Sequence, residues 1–320
     1  DTVRERMTVE TVDRRITARF DGCDVVHLTL PREVDPDAET LFNPHDLRHV
    51  QYPEFFEPQV LEHRRRVLPA ACERATMVDT FSQATKDAVV DEYGVAPERV
   101  QPVPLGPSLA GGPVADDLLA DIERAYDLPE SFVLYPANTW PHKNHRRLVA
   151  ALDHVADAHD TTIPLVCTGG RDDRGVARAH RIDDLEALGS SVPVCDLGFV
   201  ETDHLRALYA RSRLLVYPSL YEGGGLPVIE AWQFDTPVAC SAIPPLQEKG
   251  GDAAAYFDPE SVAEMGDTIH AVWTDAERRE RLAARGRARR ERFTWDRTAR
   301  LYHALYRKTA GRDLSETDRE

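Results

Sequence analysis

The chain has 320 residues, of which 42% are hydrophobic, and it carries a formal net charge of −16 at pH 7. The length predicts two domains, and the acidic charge excludes the nucleic-acid-binding proteins that work through a basic face. No apolar run is long enough to predict a transmembrane helix, and the arginine-rich, lysine-poor composition leaves a salt-adapted host and a GC-rich genome equally open.

The first hundred residues predict the first part of an α/β unit. Short apolar runs predict strands at residues 24–31, 39–44, 77–82 and 99–107. An amphipathic helix is predicted over 58–75. Ser82 is the expected N-cap of a helix that continues to Tyr93, because its hydroxyl can accept a hydrogen bond from a free amide of the first turn. The Pro- and Gly-rich stretch 106–113 predicts a linker.

From residue 132 onward, short apolar runs alternate with helical patterns. The predicted strands lie at 132–136, 164–170, 193–198, 214–219, 236–241 and 254–258. The predicted helices lie at 145–158, 174–188, 201–210 and 225–234, with a closing helix at 295–308. Each strand is apolar on both faces, as in a buried parallel sheet, so the alternation predicts a doubly wound α/β domain.

These elements predict three parts of the chain. Residues 1–112 are expected to form an N-terminal Rossmann-like domain, and residues 113–294 a second one. Residues 295–320 are expected to form a helix that packs back on the first domain, followed by a polar tail. The N-terminal segment is charged and lacks an apolar signal region, and without an initiator Met it reads as a processed or truncated chain.

The five cysteines, Cys23, Cys72, Cys167, Cys195 and Cys240, are scattered along the chain without a Cys-x-x-Cys pair. This spacing disfavours a zinc site. Cysteines scattered through apolar surroundings predict buried free thiols in a reducing compartment.

Residues 217–231, YPSLYEGGGLPVIEA, place three glycines between two acids directly after an apolar strand. The glycines at 223–225 let the backbone turn sharply and present bare amides, and Pro227 suits a first helical turn, where no amide donor is needed. The pattern predicts a helix N-terminus suited to a diphosphate. Glu230, one turn inside the helix, can accept hydrogen bonds from vicinal hydroxyls of a ribose, and Glu222 is expected to face the other end of the ligand.

Three further segments follow predicted strands at the same sheet edge, where open parallel sheets bind ligands. They are ANTWPHKN at 137–144, where Lys143 adds a full positive charge near a helix start, the glycine pair at 169–170, and GFVETDHL at 198–205. Alone, EGGGLP is compatible with an ordinary strand–helix turn, Lys143 with a surface lysine and Glu230 with a solvated helix residue. Their convergence on one edge favours a ligand site.

A His-Asp pair, His45 and Asp46, follows a predicted strand in FNPHDLRHVQYPEFF. It could hold a substrate or act in acid–base chemistry, but without further context a turn whose aspartate caps a helix is favoured. The basic stretches at 63–66 and 171–184 are expected to be solvated helix faces. No GxSxG, GxxxxGK[ST] or GxGxxG motif occurs, so hydrolase, triphosphate and dinucleotide signatures are not supported.

Taken together, these motifs resemble the retaining glycosyltransferases of family 4, which have the GT-B fold. PSLYEGGGLPVIEA looks like that family's E-x7-E motif, and PANTWPHKN resembles its donor-phosphate segment with Lys143 as the lysine. NPHDLRHVQYPEFF is similar to the family's N-terminal His-Asp segment. The resemblance covers nearly the whole chain and is most specific over 132–258. It implies an α/β fold of two Rossmann-like domains facing a cleft, the first on the acceptor side and the second binding the nucleotide sugar.

The resemblance also implies roles for individual positions. Lys143 would neutralise the leaving diphosphate, Glu222 would contact hydroxyls of the donor sugar, and His45 would lie near that sugar; these are the expected catalytic residues. Glu230 would bind the nucleotide ribose. The other expected donor-binding residues are Thr139, Gly169, Gly170, Phe199, Val200, Gly223, Gly224, Gly225 and Leu226. The reaction would retain the anomeric configuration without a cofactor or a metal, by front-face attack assisted by the leaving phosphate.

Two departures from the family pattern bear on these expectations. Many relatives carry an arginine before the lysine, whereas this chain has Asn138-Thr139-Trp140, so the phosphate charge is expected to rest more heavily on Lys143. Few residues precede the strand at 24–31, which predicts an incomplete N-terminal domain on the acceptor side.

The leading hypothesis is a hexosyltransferase that moves a sugar from a GDP- or UDP-linked donor, with mannose among the candidates, to a glycan, lipid-linked or small acceptor. The alternatives are a non-catalytic nucleotide-sugar-binding or scaffold protein that lacks part of the acceptor domain, and a GT-B sugar-nucleotide 2-epimerase, against which the E-x7-E match argues. The expected partners are the donor and the acceptor, without nucleic acid. The expected location is the cytoplasm, with peripheral contact to the inner face of a membrane left open.

Overall fold

The structure of the protein is a computed structural model that describes residues 7–12, 15–20, 22–30, 34–171, 174–182, 184–188 and 191–314. The chain divides into two compact units, one formed by Asp1–Leu105 with Trp295–Glu320 and the other by Gly106–Thr294. Each unit has its own parallel sheet and its own hydrophobic core. In the part of the chain that the structure describes, no helix is both long and apolar enough to cross a bilayer.

Strands and helices follow one another along the chain with few long loops. The strands are β1 (Met7–Val12), β2 (Arg15–Phe20), β3 (Val25–Leu28), β4 (Val34–Pro36), β5 (Glu39–Phe42), β6 (Met77–Thr80), β7 (Val100–Pro102), β8 (Val133–Pro136), β9 (Leu165–Thr168), β10 (Val194–Asp196), β11 (Leu214–Tyr217), β12 (Val238–Ser241) and β13 (Ala255–Phe257). The α-helices are α1 (Arg48–Gln51), α2 (Pro58–Arg74), α3 (Gln83–Tyr93), α4 (Asp116–Tyr126), α5 (His145–His159), α6 (Thr202–Arg211), α7 (Leu226–Gln233), α8 (Pro244–Gly250), α9 (Val262–Thr274), α10 (Ala276–Arg290) and α11 (Trp295–Thr309).

The first unit contains a four-stranded parallel sheet in the order β3-β5-β6-β7. Phe42 of β5 belongs to one core cluster with Leu68 of α2 and Val89 of α3, whereas the neighbouring Leu41 belongs to a second cluster with Leu305 of α11. Successive residues of a strand point to opposite faces, so helices cover both faces of this sheet. A separate small sheet joins β1, β2 and β4.

The second unit contains a six-stranded parallel sheet in the order β10-β9-β8-β11-β12-β13. Strands β9, β11 and β12 are buried at every residue, which explains why their sequences are apolar throughout rather than alternating. The first strand of this sheet along the chain is β8, in its middle, and β9 and β10 lie successively further toward one edge. The next strand, β11, lies on the other side of β8. The strand order therefore reverses between β8 and β11, and such a switch point is where doubly wound sheets bind ligands.

The secondary-structure predictions are largely confirmed. Each predicted strand contains an observed one, and the predicted helices at 58–75, 145–158, 201–210, 225–234 and 295–308 begin and end within two residues of α2, α5, α6, α7 and α11. The predicted cap is also present, since the hydroxyl of Ser82 accepts a hydrogen bond from the amide of Thr85 at 3.1 Å at the start of α3.

The predicted helix at 174–188 is wrong. In the described part of this segment the chain forms two short 3-10 turns, Arg178–His180 and Glu186–Leu188. Gly175 has a φ of 76°, outside the right-handed helical region, and the carboxylate of Asp184 accepts amide hydrogens of the second turn. These local side-chain bonds replace the helical ones.

The prediction of buried thiols is correct in part. Cys72, Cys167 and Cys240 are buried, Cys195 is half-buried, and Cys23 is exposed. The prediction is wrong for Cys23 because this residue precedes β3 in a loop rather than lying inside a strand or helix.

Candidate functional site

The candidate site lies at the carboxyl edge of the six-stranded sheet, where β8 and β11 pair as neighbours. Residues 137–144 follow β8, and residues 218–225 follow β11. Both segments were predicted from the sequence to contribute to a ligand site, and the pairing of their strands brings them side by side.

An ion pair joins the two segments. The Nζ atom of Lys143 lies 2.5 Å from Oε1 of Glu222 and donates a hydrogen bond of 2.9 Å to the hydroxyl of Tyr217. The Tyr217 hydroxyl in turn donates to the same Oε1 at 2.8 Å. The two charged side chains are only 15% and 10% exposed, so their attraction is screened less than that of a surface pair.

The environment of Tyr217 keeps its hydroxyl protonated. Burial, and then the charge of Glu222, raises the pKa of Tyr217 well above its ordinary value. The ring also faces the ammonium of Lys143, whose Nζ lies 5.1 Å from the ring centre. Tyr217 therefore holds the lysine and the glutamate in place as a neutral donor and acceptor.

The backbone around Lys143 is fixed by three hydrogen bonds. Lys143 ends a 3-10 turn, Pro141–Lys143, and its carbonyl accepts a bond of 2.6 Å from the hydroxyl of Tyr135. The next residue, Asn144, has a φ of 64°, and its side-chain amide donates to the carbonyls of Pro218 at 3.1 Å and Pro259 at 2.8 Å. Asn tolerates this left-handed conformation better than most residues, so the loop after β8 is tied to the loop after β11.

The glycine turn leads into α7 as predicted. Gly225 is the N-cap of α7 and has a φ of 60°, which glycine adopts without strain. A Cβ atom at this position would lie 2.5 Å from Cδ2 of Leu246 in α8. Pro227 occupies the second position of the helix, where its missing amide hydrogen is no loss. The amide of Leu226, the first residue of α7, has no carbonyl partner inside the helix, whereas that of Val228 donates to the carbonyl of Gly225 at 3.3 Å. The free amide and the positive end of the helix can bind an anion.

Glu230 is held by two hydroxyl groups inside the second unit. Its Oε2 accepts a hydrogen bond of 2.8 Å from Tyr209, and its Oε1 accepts one from Ser108. The residue is 7% exposed. Burial, and then the charge of Glu230, raises the pKa of Tyr209 well above its ordinary value, so the tyrosine acts as a donor. A carboxylate that already accepts two hydroxyl hydrogens is suited to a vicinal diol.

The glycine pair at 169–170 packs on the segment after β8. Gly169 has a φ of 146°, and a Cβ atom there would lie 2.6 Å from the carbonyl carbon of Ala137. The amide of Gly170 donates to Oδ1 of Asn138 at 2.8 Å. Gly169 is therefore required for close packing of the two loops, whereas a Cβ atom at Gly170 would lie 3.4 Å from Oδ1 of Asn138, an ordinary contact.

The remaining predicted donor-binding residues differ in accessibility. Phe199 is 79% exposed, whereas Val200 is 7% exposed and part of the core. Thr139 is buried, and Leu226 is half-buried at the first position of α7. Gly223 and Gly224 lie between Glu222 and the N-cap of α7, also half-buried.

His45 belongs to the first unit, so its expected place near the donor sugar stays a prediction. Its φ is 59°, and its Nε2 lies 2.5 Å from the carbonyl of Thr29. The neighbouring Asp46 accepts a hydrogen bond of 3.0 Å from the amide of Arg48. This contact fits the alternative interpretation of the pair, a turn whose aspartate caps a helix. Burial raises the pKa of Asp46, but Arg48 and Arg64 lower it more, so that it ends below its ordinary value.

Three residues of the site were not predicted from the sequence: Tyr217, Tyr209 and Ser108. The two tyrosines lie in a buried strand and a buried helix face, and a buried tyrosine requires a partner for its hydroxyl. That requirement is a usable signal in the sequence, but it does not identify the partner. Among the described residues, no group of three or more His, Cys, Asp or Glu side chains is arranged to hold a metal ion.

A family model described as glycosyl transferases group 1 matches residues 122–289, more than half of the chain. The chain is 28% identical over 274 residues to O-antigen chain mannosyltransferase B of Escherichia coli, covering 83% of this chain and 69% of that protein. It is 30% identical over 216 residues to O-antigen chain mannosyltransferase RfbU of Salmonella typhimurium, covering 68% of this chain. The chain spans 56% of the length of that second relative.

Two solved structures are similar to the protein. Sucrose-phosphate synthase from Thermosynechococcus elongatus has 25% identity and a TM-score of 0.70, covering 90% of this chain and 74% of that one. HepE from Anabaena, in complex with UDP and glucose, has 18% identity and a TM-score of 0.65, covering 84% and 71%. The fold is therefore α/β of the GT-B type, with a Rossmann-like sheet in each unit. By the match of the family model, the chain belongs to the glycosyl transferases of group 1.

Proposed function

We propose that this protein is a retaining hexosyltransferase that moves mannose from a nucleotide-sugar donor to a glycan or lipid-linked acceptor. The observation that carries the proposal is the Lys143–Glu222 ion pair at the switch point between β8 and β11, beside the glycine turn. Two similar proteins are named as mannosyltransferases of O-antigen chains, which supports mannose as the sugar and a glycan as the acceptor. The base is left to the experiment, with GDP and UDP as the two choices.

In this proposal the donor diphosphate replaces Glu222 at the ammonium of Lys143. The exchange is favourable because a diphosphate brings more negative charge than one carboxylate and also accepts hydrogen bonds from the amides at the start of α7. Glu222 is then free to accept hydrogen bonds from hydroxyls of the sugar. The side chains of Lys143 and Glu222 are already only 15% and 10% exposed in their ion pair, so little further desolvation is needed.

The ribose is proposed to bind at Glu230. One ribose hydroxyl takes the position of the Ser108 hydroxyl on Oε1, while Tyr209 continues to donate to Oε2 and holds the carboxylate in orientation. Because Ser108 provides a hydroxyl of the same chemistry, the carboxylate is satisfied both with and without the donor.

Transfer breaks the bond between the anomeric carbon and the ester oxygen that joins it to the β-phosphate. A bond forms between that carbon and the hydroxyl oxygen of the acceptor, and the acceptor proton passes to an oxygen of the leaving diphosphate. Because leaving group and acceptor lie on one face of the sugar, the configuration is retained. Lys143 and the α7 amides stabilise the negative charge that develops on the leaving group.

The proposal is tested first by a screen of nucleotide sugars in thermal unfolding, with GDP-mannose, UDP-glucose and UDP-N-acetylglucosamine. A donor present at a hundredfold excess over its dissociation constant stabilises the folded state by about 3 kcal/mol, and we expect GDP-mannose to give the largest shift. If no nucleotide sugar raises the melting temperature at millimolar concentration, the proposed donor site is wrong.

Turnover is measured next, as nucleoside diphosphate released from the best donor with and without a mannose-terminated glycolipid acceptor. We expect release to depend on the acceptor and the product linkage to have the configuration of the donor. Binding without acceptor-dependent release would instead indicate the non-catalytic alternative, which the transferase names of the similar proteins do not favour.

A further inference from the structure

Lys249, at the C-terminal end of α8, is a buried lysine to which the proposed reaction gives no role. The residue is 4% exposed, and its Nζ lies 5.0 Å from the centre of the Phe293 ring. Within the described residues this ring is the one partner of the ammonium, which has neither a hydrogen bond nor an ion pair. Buried charges are usually paired, so this arrangement requires an explanation.

The surroundings of Lys249 connect it to the donor site. Leu246, one turn earlier in α8, lies where a side chain at Gly225 would be, so α8 packs directly against the glycine turn. Burial lowers the pKa of Lys249 to about 8, and the charges of Glu248, Glu222 and Glu230 act in the opposite direction. Both glutamates of the donor site are therefore close enough to act on this ammonium.

A balance of charges indicates what Lys249 does. The charges of Lys143 and Glu222 cancel in their ion pair. The buried negative charge of Glu230 remains, close to the proposed position of the diphosphate. A second buried positive charge offsets that of Glu230. Without it, the dianion would enter a site of net negative charge, with little solvent to screen the repulsion.

We propose that Lys249 is a second cation of the donor site, which attracts the nucleoside diphosphate through space and offsets the buried carboxylate of Glu230. This inference rests on the proposed function. Lys249 is a positioning residue in this scheme, because its charge acts through the surrounding protein and its ammonium is not required to touch the reacting atoms.

The proposal has a consequence that a purely structural lysine would not have. Because burial disfavours its charged form, Lys249 destabilises the folded protein at pH 7. An uncharged side chain of similar length should therefore raise the melting temperature while it weakens donor binding. A buried lysine without a role at the donor site would give the same change in melting temperature but no change in donor binding, so the binding measurement decides.

The pH dependence has a defined sign. The ammonium is charged below its pKa of about 8 and neutral above it, so donor affinity should be highest near pH 7 and fall between pH 8 and 9. Both phosphates of a nucleotide sugar are esterified and do not change charge in this range. The titratable and charged groups on the surrounding elements are Glu222, Glu230, Glu248, Tyr256 and Arg289. Carboxylates, guanidinium groups and a buried tyrosine do not ordinarily titrate between pH 7 and 9.

The test compares Lys249→Met and Lys249→Arg with Lys308→Met, which removes an exposed lysine of α11 in the first unit. Calorimetry with GDP-mannose and UDP-glucose is run at pH 7, 8 and 9, and with inorganic pyrophosphate, whose own charge changes over this range, at pH 7 alone. We expect Lys249→Met to bind the donor roughly tenfold more weakly at pH 7, to lose the pH dependence and to melt no lower than the wild type. Lys249→Arg should restore most of the affinity and remain pH-independent, and Lys308→Met should match the wild type.

The outcomes separate this inference from the proposed function. If the wild type binds a nucleotide sugar and Lys249→Met binds it equally well with the same pH profile, the role of Lys249 is wrong and the donor site stands. If the wild type binds pyrophosphate but no nucleotide sugar, the proposed function is wrong. The role of Lys249 as a second cation is then supported if Lys249→Met binds pyrophosphate more weakly, and it is wrong if the variant binds pyrophosphate equally well. If the wild type binds neither probe, both are wrong.

Discussion

The two sheets of this protein each carry a polar cluster near their carboxyl edge, and the two clusters are built differently. In the first unit, Asp79 is fully buried; its Oδ2 accepts hydrogen bonds from Asn43 at 2.6 Å and Tyr302 at 2.8 Å, and its Oδ1 lies 3.2 Å from His27. In the second unit, Lys143 and Glu222 remain 15% and 10% exposed. The first cluster is closed by its own unit, whereas the second is open.

The difference between the two clusters distinguishes a stabilising network from a binding site. In the Asp79 cluster, Oδ2 accepts from partners contributed by α11 and the loop after β5, and Oδ1 lies 3.2 Å from the ring of His27. The carboxylate is fully buried, so a ligand cannot reach it. The Lys143–Glu222 pair lies beside a glycine turn and the start of a helix, both of which can accept an anion. Polar partners supplied within the fold indicate stability, and a charged pair beside the positive end of a helix indicates binding.

The largest effect is expected from breaking the closed cluster. Asp79→Ala leaves the hydroxyl of Tyr302 and the amide of Asn43 buried without their acceptor. We expect it to lower the free energy of unfolding by roughly 3–5 kcal/mol, the range for a disrupted buried charged network, as measured by urea denaturation. Asp91→Ala, on the exposed face of α3, is the control and should change the stability by less than about 0.5 kcal/mol. Equal stabilities for the two variants would show that the closed cluster is not a stabilising device.

A smaller effect is expected at two glycines with the same backbone conformation. Gly225 and Gly94 have φ values of 60° and 65°, but a Cβ atom at Gly225 meets Leu246 while one at Gly94 meets nothing within 4 Å. Gly94→Ala should lower stability by about 1 kcal/mol through backbone strain alone. Gly225→Ala should lower the stability by a further amount of about 1–3 kcal/mol, because the added methyl group overpacks against Leu246. It should also weaken donor binding. If the two alanine variants are equally stable and the donor affinity of Gly225→Ala is unchanged, Gly225 is not required for packing against Leu246 or for donor binding.

The smallest effect concerns acid stability, to which His49 in the first unit and His145 in the second contribute. Burial, and then the charge of Arg64, lowers the pKa of His49 to about 4; burial, and then Lys143, lowers that of His145 to about 3. The unfolded chain binds protons more readily than the folded one below pH 6.5, so stability should fall as the pH drops from 6.5 toward 4. Relative to neutral pH, each histidine lowers the free energy of unfolding by about 2 kcal/mol at pH 5.

His145→Phe, which keeps a ring beside Tyr135, should remove this part of the acid sensitivity from the second unit and leave that of His49 in the first. Thermal unfolding at pH 5 and pH 7 measures the difference between the two conditions. A variant that loses as much stability as the wild type between these pH values would show that His145 does not titrate on unfolding.

Much of the fold could be predicted from the sequence because its sheets are buried on both faces. Apolar runs, most of them next to a Pro or Gly, mark the strands from β5 to β13, and side-chain caps such as Ser82 mark helix starts. Helix α10 was not predicted, because it buries only Leu282 and Gly286 and so has little apolar periodicity. The segment 174–188 was wrongly predicted as a helix, because the left-handed Gly175 and the side-chain bonds of Asp184 override its helix-like composition.

The candidate site was predictable to the extent that its chemistry lies in contiguous motifs. Lys143, Glu222 and Glu230 were identified because each follows a strand within a recognisable motif. Tyr217 and Lys249 were not, because one is an ordinary strand residue and the other a single lysine in a helix. Their importance depends on contacts between elements distant in the chain, which no local pattern carries.

The measurement that tests the central claim most directly is the calorimetric dissociation constant of the best donor for the wild type, Lys143→Met and Lys143→Met/Glu222→Gln. Removing the ammonium should weaken binding about a hundredfold, equivalent to about 2.7 kcal/mol. The double variant, which leaves no unpaired carboxylate, should recover part of that loss but not all of it. A dissociation constant for Lys143→Met within twofold of the wild-type value would contradict the assignment of this ion pair as the diphosphate site.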